Sequence, residues 1–321
     1  MTATESLEAI VARTAAEPMA PEVEALAEAV RARHEPGVLA VIAYGSSLRG
    51  VDLSDTLVDL YVLTDGWEAV NPNRLARMAC RLVPPNVHYG EARSGPVTLR
   101  AKYAVLPLDL FVRKMRPDVG NPYFWARFAQ PCRIVWVRDE AVRRTLVGAL
   151  AQAVRTMIAA IFPLVPAEAG NQAPYPAPPG SLPARGRAVG VDCAHELWRR
   201  GLKETYRTEL RPESGDRARA IVSANAAYYR AVTEAVLGPD WTASGEAEAV
   251  SWRRRRMTGK SLSVLRLLKG AFTFEGGADY VAWKISRHSG LDIVVKPWQR
   301  RHPVLGALWL LPGLLRRGAL R

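Results

Sequence analysis

The sequence predicts an α/β (α+β) domain with a mixed sheet, followed by a mainly helical second domain and a basic amphipathic C-terminal segment. Short runs rich in Val, Ile and Leu alternate with helical patterns over residues 38–160, which is typical of an α/β domain. Beyond residue 190 the pattern is helical without clear strands. Residues 251–321 hold 15 Lys and Arg against 3 Asp and Glu, so this segment carries +12 of the net charge of +13.

Each element of the first domain has its own local signal. Pro21, at a helix-start position, and apolar residues at 23, 26, 27 and 30 predict an amphipathic helix over 21–34. Asn73 starts a predicted helix over about 73–83, and Asp139 caps one that runs to about residue 160. The predicted strands are 38–44, 57–63, 97–106 and 133–137, with a Pro84-Pro85-Asn86 break after the second helix and a further helix start at Asn121-Pro122.

The domain boundaries follow from composition. Seven prolines with Gly, Ala and Asn between residues 163 and 183 indicate a linker or a long insertion. Helical patterns follow over 191–210, 216–236 and 246–289. The predicted segments are a first domain over 1–162, a Pro-rich linker or insertion over 163–187, a helical domain over 188–250, and a basic amphipathic membrane-associating region over 251–321.

Several protein classes are excluded by composition. The cysteines at 80, 132 and 193 are far apart, which argues against a zinc ribbon and fits a reducing compartment. No run of 18 apolar residues is present, so no membrane-spanning helix is expected. The first residues lack the basic and apolar regions of a signal peptide, and their many glutamates are the opposite of a transit peptide.

The most informative stretch is the first predicted strand pair. Gly45-Ser46-Ser47 follows the first strand, and Asp59 lies in the middle of the second, where a charge is costly unless it is paired or binds a metal. This arrangement resembles the nucleotidyltransferase superfamily. Gly45 lets the backbone approach a triphosphate, the serine hydroxyls donate to its oxygens, and the carboxylate holds Mg²⁺.

Two alternatives stay open at this point. A Gly-Ser turn also occurs in ordinary hairpins, and the presence of Asp59 makes the two interpretations evenly balanced. The superfamily usually has a second acid two residues after the first, but here that residue is Tyr61. Asp55 would lie ~13 Å from Asp59 in a straight strand, so it can share a metal only from a curved loop; Asp65 and Asp109 are further candidates.

Several short motifs then occur in the order of one known family. Over residues 38–290 the chain resembles the mitochondrial-type phosphatidate cytidylyltransferases (the translocator assembly and maintenance family), as a bacterial member. That family tends to have a hydrophobic residue at the position of Tyr61. The departures are Ala104 in place of Gly and Phe128-Ala129-Gln130 in place of Leu-x-Lys. The matching motifs are Ala43-Tyr44-Gly45-Ser46-Ser47, Val58-Asp59-Leu60, Asn71-Pro72, Lys102-Tyr103-Ala104-Val105, Phe124-Trp125-Ala126-Arg127-Phe128, Gln130-Pro131, Tyr206-Arg207 and Leu268-Lys269-Gly270-Ala271-Phe272-Thr273-Phe274.

The resemblance implies an enzyme, a CDP-diacylglycerol synthase of phospholipid biosynthesis, with residues 1–162 as its nucleotidyltransferase domain. It would transfer a cytidylyl group from CTP to phosphatidic acid with Mg²⁺, releasing pyrophosphate. Asp59 and Lys102 would be catalytic, and Asp59 would bind the metal. Asp55 stays a second metal ligand only if its segment forms a curved loop. The implied nucleotide-binding residues are Tyr44, Gly45, Ser46, Ser47, Lys102, Tyr103 and Arg127.

The composition of the C-terminal segment predicts that the protein binds a membrane surface. Tryptophans, arginines and the apolar run 304–312 suit an anionic interface, and the run is too short to span a bilayer. A nucleic-acid partner explains the arginines but not the apolar run, and a buried helix is the remaining alternative. We expect a peripheral protein on the cytoplasmic face of a bacterial inner membrane, and leave a homo-oligomer open. The alternative functions are nucleotidyl transfer to another phosphorylated lipid or small acceptor, and non-catalytic nucleotide or membrane binding.

Overall fold

The fold contains a five-stranded mixed sheet. The computed structural model describes residues 5–49, 57–71, 73–94, 97–164, 189–209, 215–238, 249–273 and 295–301. The strands lie in the order β3-β4-β2-β1-β5, with β2 antiparallel to β1 and parallel to β4, and β3 antiparallel to β4. The predicted fold class is therefore confirmed. The strands are β1 (Val38–Tyr44), β2 (Leu57–Thr64), β3 (Asn86–Ser94), β4 (Val97–Pro107) and β5 (Cys132–Val137).

Helices make up most of the remaining described chain, and they are the only regular elements described after residue 188, as predicted. Short 3₁₀ turns follow β1 at Gly45–Arg49 and α6 at Phe162–Leu164. The helices are α1 (Leu7–Ala15), α2 (Pro21–Arg31), α3 (Arg74–Leu82), α4 (Leu108–Lys114), α5 (Trp125–Phe128), α6 (Glu140–Ile161), α7 (Val189–Tyr206), α8 (Gly215–Ala224), α9 (Ala226–Leu237), α10 (Ala249–Thr273) and α11 (Pro297–Arg301).

Both predicted helix caps are present. The Asn73 side chain accepts hydrogen bonds from the first-turn amides of α3, and the Asp139 side chain accepts one from Val142 N at the start of α6. Strand β3 was not predicted, because its sequence contains few apolar residues and follows two prolines. It forms because β4 supplies a complete ladder of partners, so tertiary pairing outweighs local preference here.

The chain divides into two compact units that interleave along the sequence. One comprises Met1–Pro18, Asp109–Arg133 and Asp139–Ser263, and the other comprises Met19–Leu108, Ile134–Arg138 and Val264–Arg321. The predicted boundaries at 162, 187 and 250 stay a prediction. Residues 165–187 of the predicted linker, and the apolar run 304–312, lie outside the described residues.

The first unit, which we call the helical unit, is built around α6. One segment among the described residues, Glu140–Leu164, is long and apolar enough to cross a membrane by length and composition alone, although no spanning helix was expected. More than half of its apolar window (56%) is buried inside the protein, which is how the central helix of a folded unit behaves. In the same unit Trp198 donates a 2.9 Å hydrogen bond to Thr233 and packs on Tyr229.

The second unit, which we call the sheet unit, has its main core cluster on one face of the sheet, and the other face also carries buried apolar residues, among them Ile42, Tyr61 and Leu63. Helix α2 covers the face of the main cluster with apolar residues at positions 23, 26, 27 and 30. Because successive strand residues point to opposite faces, the residues between the core positions project from the other side. The strand residues of the core are Val38, Val41, Ala43, Val58, Leu60, Val62, Leu99, Ala101, Tyr103 and Val105.

Candidate functional site

A row of polar side chains crosses four strands on the sheet face opposite this core. Tyr44 of β1 is the register partner of Asp59 of β2, and Asp59 is the partner of Lys102 of β4. Lys102 is in turn opposite Tyr89 of β3. Neighbouring strands are about 4.8 Å apart, so the sheet brings Tyr44, Asp59 and Lys102 together although the last two are far apart in sequence.

The turn after β1 contacts Asp59 directly. Gly45 has a φ of 84°, in the left-handed region that favours glycine. A Cβ atom placed on Gly45 would lie 3.3 Å from Oδ2 of Asp59, closer than most side-chain contacts. Glycine is therefore required here for two reasons, its backbone conformation and the proximity of the carboxylate.

The two serines of this turn have different surroundings. Ser47 is buried, and its Oγ donates a 3.2 Å hydrogen bond to the carbonyl oxygen of Tyr44, so it closes the turn. Ser46 is half-buried in the same 3₁₀ turn. Both were predicted to contact a nucleotide, and of the two Ser46 is the more accessible.

Tyr61 occupies the position of the usual second acid. It is on the same face as Asp59, is almost completely buried, and packs edge-on against Tyr44, with ring centroids 5.4 Å apart. Tyr61, buried against the half-buried Tyr44, thus occupies this position, and Asp59 is the acid that this row supplies.

The other acids considered as metal ligands are at the far end of β2, in the helical unit or outside the described residues. Asp65 follows β2 at its far end, about 20 Å from Asp59 along the strand. Asp109 belongs to the helical unit and pairs with Arg113 at 2.7 Å. Asp55 lies outside the described residues. Within the described ranges no three His, Cys, Asp or Glu residues come close enough to hold a metal ion.

Asp59 nevertheless suits the binding of one kind of cation, Mg²⁺. Mg²⁺ is usually held by one or two carboxylates together with substrate phosphates and water. The half-buried Asp59, beside a turn with accessible Ser46, fits this pattern. A site of this kind is completed by the substrate, so it needs no cluster of protein acids.

The neighbouring residues Lys102 and Tyr103 point to opposite faces of β4. Lys102 is half-buried on the Asp59 face, and its side chain forms no hydrogen bond or ion pair with another described residue. Tyr103 is only 2% exposed, belongs to the core, and stacks on His88 with centroids 5.2 Å apart. The structure therefore does not bring the predicted nucleotide ligand Tyr103 together with Asp59, because the strand alternates.

Arg127 lies in the helical unit and contacts groups of that unit. Its guanidinium is 3.5 Å from Glu209 Oε1 and donates a 3.1 Å hydrogen bond to the carbonyl oxygen of Tyr123. It also lies over the Tyr123 ring, 4.3 Å from the centroid. These contacts give Arg127 a structural role. Its predicted role in nucleotide binding stays a prediction.

The polar group at the β3 end of the row was not predicted as part of the site. Tyr89 donates a 2.6 Å hydrogen bond to Glu91, and Arg100 lies 3.5 Å from the same carboxylate. Burial, with the adjacent Glu91 carboxylate, raises the pKa of Tyr89, so its hydroxyl stays protonated near neutral pH. Arg100 precedes Lys102 by two residues on β4, so both side chains lie on the same face of the strand. This spacing is the sequence signal that could have identified Arg100 as a neighbour of the site.

Comparisons with known proteins leave the family open. No protein-family model matches the chain, and no curated protein matches it. A crystal structure of a nucleotidyltransferase-like protein from Exiguobacterium sibiricum 255-15 is similar over 92% of this chain and 92% of its own, with 13% identity and a TM-score of 0.26. A similarity at that TM-score carries no weight for function, and the fold class rests on the observed strands and helices.

Proposed function

We propose that this chain is a Mg²⁺-dependent nucleotidyltransferase that transfers the cytidylyl group of CTP to phosphatidic acid, yielding CDP-diacylglycerol and pyrophosphate at a membrane surface. The observation that carries the proposal is the row of polar side chains on the sheet, where Asp59 lies between the Gly45 turn and Lys102. A carboxylate, a small turn and an amine in one place suit the binding of a triphosphate.

Asp59, Lys102 and the Gly45 turn each have a defined task in this reaction. An oxygen of the lipid phosphate attacks the α-phosphorus of CTP, and the bond to the bridging oxygen breaks so that pyrophosphate leaves with the electron pair. Lys102 supplies positive charge to the phosphates, and the amides of the Gly45 turn orient them. Asp59 would hold Mg²⁺, which neutralises triphosphate charge when bound. The nucleophile is already ionised near neutral pH, so positioning matters more than a general base.

The choice of CTP and phosphatidic acid rests on the ordered motifs of the sequence. A lipid acceptor agrees with the charge distribution, since residues 251–321 carry +12. Basic residues near an anionic leaflet are worth about 1 kcal/mol each, which suits a peripheral protein on the cytoplasmic face. Nucleic acid is the less favoured polyanion, because exposed apolar side chains accompany the arginines of α10.

The proposal is tested with the purified full-length protein, Mg²⁺, labelled CTP and vesicles that contain phosphatidic acid. We expect labelled CDP-diacylglycerol, a strong preference for CTP over ATP, GTP and UTP, and loss of product in Asp59→Asn. Asp118→Asn is the matched control, because Asp118 is an exposed acid of the helical unit.

Two results would replace this proposal. Labelled product formed only with other phosphorylated lipids or small acceptors would keep nucleotidyl transfer and change the substrate. Nucleotide binding without turnover on any acceptor would indicate a non-catalytic protein.

A further inference from the structure

Helix α3 (Arg74–Leu82) turns its apolar side away from the protein. Leu75 is 72% exposed, Met78 58% and Leu82 76%, whereas the one buried residue of the helix is Cys80. At 100° per residue the three exposed side chains fall within an arc of about 60°, and Cys80 lies on the opposite side. Three large apolar side chains on one exposed stripe are unusual for a surface that contacts only water.

Arginines flank this stripe. Arg74, Arg77 and Arg81 occupy the adjacent arc of α3 and line an open depression of about 490 Å³ together with Trp67 and Glu68. The Arg81 guanidinium lies 5.3 Å from the centre of the Trp67 ring. A positively charged depression beside an apolar stripe is complementary to a phosphate headgroup beside its acyl chains.

Exposed apolar side chains of this size are confined to few elements of the described chain. They occur on α3, on α10 and on α11, and on no other described element: Leu75, Met78, Leu82, Met257, Val264, Leu265 and Trp298. All but Met257 belong to the sheet unit.

Two basic residues connect α10 to the end of α3. Arg266 donates a 3.2 Å hydrogen bond to the carbonyl oxygen of Pro84. Lys269 donates to the carbonyl oxygens of Val83 (2.7 Å) and Pro85 and to the side chain of Asn86 (3.2 Å). The C-terminal part of α10 therefore contacts the turn that ends α3.

We propose that α3 docks on an anionic phospholipid surface, with Leu75, Met78 and Leu82 among the acyl chains and the three arginines at the phosphates. The inference rests on the proposed function in one respect, since a lipid acceptor requires that the enzyme reach the interface. The occupant is a bilayer rather than a protein, because three cations beside the stripe match an anionic leaflet. Helix α3 lies outside the C-terminal segment that the sequence predicts to bind membranes.

Cosedimentation of the full chain with vesicles tests whether the arginines of α3 contribute to membrane binding. The vesicles are of phosphatidylcholine, with or without phosphatidylglycerol. Arg74→Gln with Arg81→Gln is expected to weaken binding to the anionic vesicles about thirtyfold. The control, Arg113→Gln with Arg144→Gln, removes two exposed arginines from α4 and α6 and is expected to leave binding unchanged. Equal losses in both pairs would mean that only net charge matters and would overturn the proposal.

The apolar stripe is tested on the same vesicles. Leu75→Ser, Met78→Ser and Leu82→Ser together are expected to reduce binding at least about tenfold, because apolar contact with the acyl region is lost. Leu75→Met, Met78→Leu and Leu82→Met together keep the stripe apolar and are expected to bind like the parent. All six substitutions lie on exposed positions, and thermal unfolding verifies that the variants fold. Unchanged binding of the serine variant would overturn the proposal.

A fluorescent label locates the helix directly. Cys80 and Cys132 are buried. Burial raises the pKa of the Cys80 thiol, and it raises the pKa of the Cys132 thiol to about 12, so neither reacts readily. An NBD group on Met78→Cys in a Cys193→Ser background is expected to brighten and shift to the blue with anionic vesicles. The same group on Arg113→Cys is expected to stay unchanged. An apolar signal at residue 78 without vesicles would mean that protein covers α3, and would overturn the proposal.

These experiments separate the two proposals. If vesicle binding depends on α3 but no CDP-diacylglycerol forms, the docking surface stands and the proposed function fails. If the protein converts a short-chain, water-soluble phosphatidic acid but vesicle binding does not depend on α3, the function stands and the docking surface fails.

Discussion

The two faces of the sheet carry different side chains at the end of the strands where Tyr44 pairs with Asp59, whereas farther along the strands both faces are apolar and buried. On one face Val58, Leu60 and Tyr103 are buried under α2. On the other, Asp59 and Lys102 are half-buried beside the Gly45 turn. At this end of the strands one face packs in the core and the other carries side chains that can bind a ligand, so residues adjacent in sequence serve different purposes.

This contrast separates members of one motif. Lys102 and Tyr103 were predicted together as nucleotide ligands, because they are adjacent in a stretch that resembles a known family. In the structure Lys102 lies on the same face as Asp59, whereas Tyr103 is buried in the core on the opposite face. Substitutions on the Asp59 face should therefore mainly reduce turnover, and substitutions in the core should mainly reduce stability. Four predictions test this difference, in order from the largest expected effect on turnover to the smallest.

Asp59→Asn should reduce CTP turnover about 1,000-fold or more, because the amide removes the charge that would hold the metal. It should change the free energy of unfolding by less than about 1 kcal/mol, since Asp59 is not part of the core. Leu60→Ala, one residue further on the other face, should lower the free energy of unfolding by about 2–5 kcal/mol and spare the activity of the folded fraction. Steady-state kinetics and urea unfolding measure both. Activity retained in Asp59→Asn would contradict the assignment of the polar face.

Lys102→Gln should reduce kcat/KM for CTP about 100-fold, because a preorganised cation at the phosphates is lost. Lys102→Arg should restore part of the activity by restoring the charge. Arg100→Gln is the control on the same face, and a smaller loss is expected because Arg100 already interacts with Glu91. A larger loss for Arg100 than for Lys102 would shift the centre of the site toward β3.

Gly45→Ala should reduce turnover about tenfold and stability by about 1–2 kcal/mol, because a Cβ is disfavoured at a φ of 84° and would crowd Asp59. Gly148→Ala, within α6, has open space around the new methyl group and should raise stability by up to about 1 kcal/mol. Kinetics and thermal melts compare the pair. Wild-type turnover in Gly45→Ala would show that the contact with Asp59 is irrelevant to catalysis.

Tyr103→Phe should leave kcat/KM for CTP within about twofold of the parent and lower stability by no more than about 1 kcal/mol, the usual effect of one lost hydroxyl. Nucleotide titrations and urea unfolding measure the two quantities. A tenfold rise in the KM for CTP would place Tyr103 in the site after all and would break the division between the faces.

Much of the sheet could be predicted because its local signals are strong. The apolar runs of β1, β2 and β4, and the side-chain caps at Asn73 and Asp139, follow from short stretches of sequence. The register could not be predicted, because it depends on pairing between distant strands. The same limit applies to Arg127, since its partner Glu209 lies 82 residues further along the chain.

Helix α3 shows a different limit of sequence reasoning. The sequence predicts a helix here from its start at Asn73, and apolar residues at 75, 78 and 82 of such a helix would ordinarily be assigned to a core. In the structure that stripe is exposed, and Cys80 faces inward instead. Periodicity identifies which residues share a side but not what that side contacts, so only the three-dimensional arrangement pointed to a lipid surface.

The contacts of Lys269 also constrain when this part of the molecule can be completed during synthesis. Its ammonium group donates to oxygens of residues that precede it by 183 to 186 positions. A ribosome emits the chain from the N-terminus, so the turn after α3 lacks these hydrogen bonds until most of the polypeptide has emerged. A nascent chain that stops before residue 269 would therefore carry α3 without this anchor, and the helix is secured only when the basic segment that follows α9 is made.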